Sequence, residues 1–129
     1  MALVHGSPME VVSMTRDGLP ATLFGSASDY LGMPRTQLFK DLRLSRSTME
    51  GRIKGNKPLS PEEGDRFVRI AKVLERATNV LESEDGAIEW LRHEIRSIGG
   101  VQPITLLDTV AGYELVMSTL GRIEHGIVA

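Results

Sequence analysis

The strongest constraint on the fold is a helix-start signal in the middle of the chain. Ser60-Pro61-Glu62-Glu63 joins an N-cap serine, a proline suited to the first turn and a glutamate that reaches back to the serine amide. Apolar residues then recur at helical spacing as far as Leu81. Because no stretch of the chain sustains the alternation typical of a strand, the sequence predicts an all-α fold.

Further helices are predicted on both sides of this signal. Apolar spacing indicates helices over residues 21–31, 35–42, 46–54 and 86–98, and a last helix that contains Tyr113 and Ile123. Asp108 with Thr105 fits a cap before that last helix. The first seventeen residues show no period, and His5, Gly6 and Pro8 interrupt any helix there. We therefore expect a flexible arm over 1–17, one domain over 18–60 and a second over 61–129.

Basic charge is concentrated in one short block. The chain carries a net charge of −2, yet residues 35–57 contain seven basic and two acidic side chains. Such a block is typical of a phosphate-binding surface, although a solvated basic face is equally compatible with the charge alone. Two short helices joined by a tight turn, the second of them basic, are the arrangement of a DNA-binding helix-turn-helix.

The spacing within residues 46–54 predicts which side chains meet DNA. Met49 and Ile53 are four residues apart and share the face toward the core. Ser47, Thr48, Gly51 and Lys54 then point away from it. Serine and threonine near the helix start can contact bases or phosphates, and long basic side chains suit phosphates or a guanine edge. The predicted DNA-binding residues are Arg46, Ser47, Thr48, Arg52, Lys54 and Lys57.

The composition argues against an enzyme. Cysteine is absent, which excludes disulfides and thiolate catalysis, and His5, His93 and His125 lack metal-ligand spacing. Neither a nucleophile elbow nor a phosphate-binding glycine loop is present. We expect no catalytic residue, metal or cofactor. Because the sequence has no long apolar run, we expect neither a signal peptide nor a membrane span, and therefore a cytoplasmic protein.

Several short motifs from about Gly18 onward resemble those of one known family. The first half contains Gly18-Leu19-Pro20, Leu44-Ser45-Arg46 and the capping segment that starts at Ser60. The second half contains Trp90-Leu91, Gly99-Gly100, Leu106-Leu107-Asp108-Thr109 and the run Leu120-Gly121-Arg122-Ile123-Glu124-His125-Gly126. The first set resembles the Xre-type half, and the second the toxin-binding half, of the Xre/MbcA/ParS antitoxins of the RES–Xre type II toxin–antitoxin family. One departure is residues 93–98, where family members commonly carry a Pro-Asn pair.

The resemblance implies a function for each half. The partner would be a RES-domain toxin, an enzyme that destroys cellular NAD, and the antitoxin would block its active site and repress their shared promoter. The candidate toxin-binding residues are Arg122, Glu124, His125, Gly126 and Ala129, whose carboxylate would imitate a phosphate of NAD. The protein would bind operator DNA and self-associate, most simply as a homodimer. The alternative is a stand-alone dimeric repressor without a toxin partner.

Overall fold

The computed structural model describes residues 6–126, which form seven α-helices and two 3-10 turns. The predicted all-α fold is confirmed for this part of the chain. The helices are α1 (Pro8–Asp17), α2 (Leu23–Leu31), α3 (Arg35–Asp41), α4 (Arg46–Lys54), α5 (Pro61–Leu81), α6 (Glu84–Leu91) and α7 (Val110–Glu124). The 3-10 turns cover Arg96–Ile98 and Pro103–Leu106.

The long helix α5 begins as its capping segment predicts. The Ser60 hydroxyl accepts a hydrogen bond from the Glu63 amide at 3.2 Å, and the Glu63 carboxylate accepts one from the Ser60 amide at 2.8 Å. The chain divides into two compact units inside this helix, after Val68, rather than at residue 60 as predicted. The capping box marks the start of the helix and not the boundary between the units. Because α5 is 21 residues long, its apolar stripe supplies buried residues to both units.

The prediction of a flexible arm over residues 1–17 is wrong for residues 8–17, which form α1. Ser7 caps this helix by accepting a hydrogen bond from the Glu10 amide at 3.2 Å, and Pro8 occupies the first turn. Proline is favoured at that position because its missing N–H has no partner within a helix. The buried Thr15 contacts α5, since a Cβ on Gly64 would lie 3.2 Å from its methyl group.

The N-terminal unit is organised around three phenylalanines. The Phe24 ring meets Phe39 at 5.6 Å and Phe67 at 5.4 Å between centroids, both edge to face. Each of the three is fully buried, as are Leu38 and Met49. Edge-to-face packing of this kind adds about 0.5–1.5 kcal/mol per pair beyond area burial. The core therefore joins α2, α3 and α5, and it fixes the helices that carry the basic block.

The C-terminal unit differs from prediction between residues 92 and 109. The helix predicted over 86–98 ends at Leu91, and Ile95 is extended and pairs with Val101 in an isolated antiparallel bridge. The exposed Arg92, His93 and Glu94 offer no apolar side chain to continue a packed face. The predicted Thr105–Asp108 cap is also wrong: the Thr109 hydroxyl caps α7 by accepting from the Gly112 amide at 3.0 Å.

Candidate nucleic-acid interface and C-terminal partner site

Helices α3 and α4 form the predicted helix-turn-helix. The turn over residues 42–45 contains Arg43 at a φ of 54° and is closed by a 2.8 Å hydrogen bond from the Leu44 amide to the Phe39 carbonyl. The Ser45 hydroxyl caps α4 by accepting a hydrogen bond from the Thr48 amide at 3.3 Å. The bounds of α4 are those predicted, so the register of its faces follows from the sequence.

The faces of α4 are oriented as the spacing predicts. Met49 is fully buried and Ile53 is half-buried. The exposed residues on the opposite side are Ser47, Thr48, Gly51 and Lys54. Arg46 and Lys57 are also exposed. This surface offers hydroxyls and amide groups at a helix start between flanking cations, which is the chemistry that DNA phosphates and base edges accept.

Arg52 differs from the other predicted DNA-binding residues because its side chain is half-buried rather than exposed. Its Nε is buried and 2.7 Å from Oε1 of Glu63, the glutamate of the α5 capping box. The side chains of Arg52 and Glu63 are 31% and 13% exposed. The contact is an ion pair rather than an aligned hydrogen bond. Arg52 therefore connects α4 to the start of α5.

A second ion pair connects α4 to α3. The Arg35 guanidinium donates two hydrogen bonds to Glu50, at 2.9 Å from Nε and 2.7 Å from the terminal nitrogen. These bonds lower the pKa of the Glu50 carboxyl and raise the pKa of Arg35. Sequence reasoning did not identify this pair, because the two residues are 15 apart and belong to different helices. Bidentate geometry fixes the orientation of the two helices more firmly than a single contact does.

A groove of about 400 Å³ runs beside the helix-turn-helix. It is lined by Thr36, Gln37, Lys40, Leu44 and Arg46. Two cations, a hydroxyl and an amide along one open groove can hold a phosphodiester, because they combine attraction with hydrogen-bond donors. The sequence prediction included Arg46 and missed Lys40, whose position on the short α3 carried no spacing signal.

The end of α7 presents the described part of the predicted toxin-binding segment. Val116, Thr119 and Leu120 are buried and hold the helix, whereas Arg122, His125 and Gly126 are exposed. Glu124 is committed within the unit: its two carboxylate oxygens accept hydrogen bonds from Arg76 at 2.7 and 2.8 Å. The pair lowers the pKa of Glu124 and raises the pKa of Arg76. Ala129 lies outside the described residues.

Arg76 of this pair also lines a shallow groove between α5 and α7. This groove, of about 330 Å³, is lined by Lys72, Glu75, Arg76, Asn79, Tyr113 and Met117. Tyr113 is half-buried, and burial raises the pKa of its hydroxyl. Near the start of α7, a Cβ on Gly112 would collide with the Leu106 carbonyl oxygen, so the close approach of these two segments requires glycine.

Two features of the described residues bear on other functions. Between residues 6 and 126, no group of three or more His, Cys, Asp or Glu side chains is arranged to hold a metal ion. Over the same residues, none of the helices has the length and apolar character needed to cross a membrane. His93 and His125 are exposed, and His5 lies outside the described residues.

Comparison with known proteins identifies both halves. Residues 10–72 match the antitoxin Xre-like helix-turn-helix domain, and residues 76–126 match the antitoxin Xre/MbcA/ParS C-terminal toxin-binding domain. Antitoxin Xre of Photorhabdus laumondii is 28% identical over 91% of this chain and 80% of its own length. The Prs ADP-ribosylating antitoxin of a Sphingobium species is 29% identical over 99% of this chain and 86% of its own. Antitoxin Xre of Yersinia enterocolitica is 25% identical over 91% of this chain and 80% of its own length. The chain belongs to the Xre/MbcA/ParS-type antitoxin family, with a helix-turn-helix DNA-binding half and a toxin-binding half.

Proposed function

We propose that this antitoxin silences a RES-domain toxin that degrades NAD, by covering the toxin's active site with residues 122–129, and that it represses its own operon. The arrangement of side chains at the end of α7 is the observation that supports the proposed contact with the toxin. A helix held by buried Val116 and Leu120 presents exposed Arg122 and His125 just beyond its last buried turn. A segment that leaves a firm helix can enter a cleft at a smaller entropic cost than a free peptide.

The residues of this segment have different roles in the proposal. Arg122 is exposed and its guanidinium suits a pocket that binds the phosphates of a dinucleotide. Glu124 acts through Arg76: their bidentate pair holds the last turn of α7 and so sets the direction in which the following residues leave. Glu124 was predicted to contact the toxin, and in this proposal it is a positioning residue.

The name of the Sphingobium relative favours a second candidate for the toxin's chemistry. That protein is called a Prs ADP-ribosylating antitoxin. Both NAD degradation and ADP-ribosylation break the bond between nicotinamide and ribose, so one pocket-blocking segment suits either toxin. The two differ in the fate of the ADP-ribose, which water receives in the first case and a protein in the second.

The test is growth of cells that express the toxin gene adjacent to this one. Co-expression of the full antitoxin should restore growth and the cellular NAD level, and truncation after Gly121 should abolish both effects. Circular dichroism and operator binding serve as controls, because the removed residues include only one partly buried apolar side chain of the described chain, Ile123. A folded truncated protein that still protects cells would contradict the proposal that residues 122–129 cover the toxin's active site.

Further readouts separate the remaining alternatives. Radiolabelled ADP-ribose on a protein, without a fall in NAD, would favour the ADP-ribosylating toxin. Failure of the full chain to bind or neutralise the neighbouring gene product would favour the stand-alone repressor. The proposed repressor is a homodimer, because two helix-turn-helix modules contact twice as many base pairs of a palindromic operator as one.

Within the DNA-binding half, we assign different contacts to the exposed residues of α4. Ser47 and Thr48 contact base edges, whereas Arg46, Lys54 and Lys57 contact phosphates. Arg52 is proposed to hold α4 in place through Glu63 rather than to bind a phosphate, since its Nε is buried in the ion pair.

A further inference from the structure

Gly51 occupies a place where the free protein gains nothing from glycine. It is the sixth residue of α4 and is exposed, and a Cβ added there would meet no atom within 4 Å. Glycine is the poorest helix former after proline, so an alanine at this position would favour the helix. The reason for a glycine at this position is therefore not found in the packing of the described chain.

Two other glycines of the chain show the contrast. A Cβ on Gly112 would collide with the Leu106 carbonyl oxygen, and a Cβ on Gly64 would press on Thr15 at 3.2 Å. At both positions the neighbouring atoms explain the missing side chain. At Gly51, as at Gly25 on α2 and Gly121 on α7, no atom of the described chain does so, and any close neighbour would come from a bound molecule.

The residues around Gly51 indicate which molecule that is. At about 100° per residue, Gly51 lies between Ser47 and Thr48 when viewed down the helix axis, one turn further along. Both neighbours are exposed and short, so their hydroxyls reach a base edge only if the helix lies close to the floor of the major groove. A side chain at position 51 would hold the helix away from the bases.

We propose that Gly51 is the point of closest approach between α4 and the major groove, and that it determines specificity by letting Ser47 and Thr48 reach base edges. The proposal rests on the operator binding proposed above. Long Lys54 and Arg46 side chains reach phosphates from a greater distance. A larger residue at position 51 should therefore weaken recognition of the operator and leave non-specific binding in place.

The experiment compares Gly51→Ala and Gly51→Leu with the unaltered chain. Both variants contain strong helix formers, so their melting temperatures should rise by a few degrees. Affinity for a duplex from upstream of the chain's own gene should fall with side-chain size, by about tenfold or more for leucine, which is the scale of overpacking in a close interface. Affinity for a scrambled duplex should change by less than about twofold because phosphate contacts persist.

The matched control is Gly25→Ala on α2, where a Cβ also meets no atom within 4 Å. This variant should retain wild-type affinity for the upstream duplex. If Gly51→Leu binds that duplex as tightly as the unaltered chain does, the close-approach assignment is wrong while operator binding stands. If the unaltered chain does not prefer the upstream duplex to the scrambled one, both the proposed repression and this assignment fail.

Discussion

Replacement of Arg52 tests whether this basic residue of α4 binds DNA or holds the helix in place. Replacement by alanine removes the cation that lies 2.7 Å from Glu63, whose side chain is only 13% exposed. Exposed ion pairs contribute about 0.2–1 kcal/mol, whereas breaking a fully buried pair costs about 3–5 kcal/mol. Because Arg52 is 31% exposed, we expect a loss of about 1–2 kcal/mol in the free energy of unfolding.

The salt dependence of operator binding separates the two roles. A residue that neutralises a phosphate contributes about 0.9 to the slope of log K against log salt for each bound copy. Arg52→Ala should weaken operator binding and leave this slope unchanged, because the loss arises from the position of α4. The measurement is fluorescence anisotropy with an upstream duplex over a series of salt concentrations, together with thermal unfolding by circular dichroism.

Lys54→Ala provides the matched control on the same helix. Lys54 is exposed, so its removal should change stability by less than about 0.5 kcal/mol and reduce the salt slope by about 0.9 per copy. The positioning role of Arg52 would be refuted if Arg52→Ala reduced the slope as Lys54→Ala does and left the melting temperature unchanged. Toxin neutralisation should be retained in both variants.

Three further measurements address the C-terminal unit and assembly. The Arg76 guanidinium lowers the pKa of the Glu124 carboxyl, so the ion pair is present at neutral pH and is lost as the pH falls through that lowered pKa. In Arg76→Ala, an NMR titration should therefore find the midpoint of Glu124 at a higher pH. Gly112→Ala should lower the free energy of unfolding by at least about 1–3 kcal/mol, because the added Cβ collides with Leu106. Gly121→Ala, which has open space at its Cβ, should raise that free energy by up to about 1 kcal/mol, and urea unfolding measures both variants. Light scattering at tens of micromolar should give a dimer mass, and a monomer mass with and without DNA would contradict self-association.

The sequence predicted the helices whose signals are local. Ser60 is predicted as a cap, and the structure shows its hydroxyl accepting a hydrogen bond from the Glu63 amide, as expected. The missed helix α1 carries the same type of signal, since Ser7-Pro8-Met9-Glu10 repeats the serine, proline and glutamate of the α5 start. The proline was interpreted as a helix breaker, although it stands where a proline favours a helix.

The contacts between helices were beyond such reasoning. Arg76 and Glu124 are 48 residues apart, and Arg35 and Glu50 are 15 apart, with no periodicity to relate them. The loop after α6 is another example, because the extended Ile95 is fixed by its pairing with Val101 and not by its own neighbours in sequence. Each of these features depends on how the elements pack, which local propensity does not contain.

The two classes of side chain on α4 also differ in how well the sequence predicts their roles. An arginine is long and pairs with carboxylates as readily as with phosphates, so its role depends on which acidic residue lies within reach: Arg52 is half-buried against Glu63, whereas Arg46 is exposed. Ser47, Thr48 and Gly51 are too short to reach away from their own face, so the burial of Met49 suffices to orient them. Under the proposed roles, counting the cations in the basic block overestimates the number of phosphate contacts, because Arg52 is counted although its Nε pairs with Glu63. The short residues opposite the buried Met49 are the better guide to the proposed DNA-binding face of α4, because their position follows from the helix register alone.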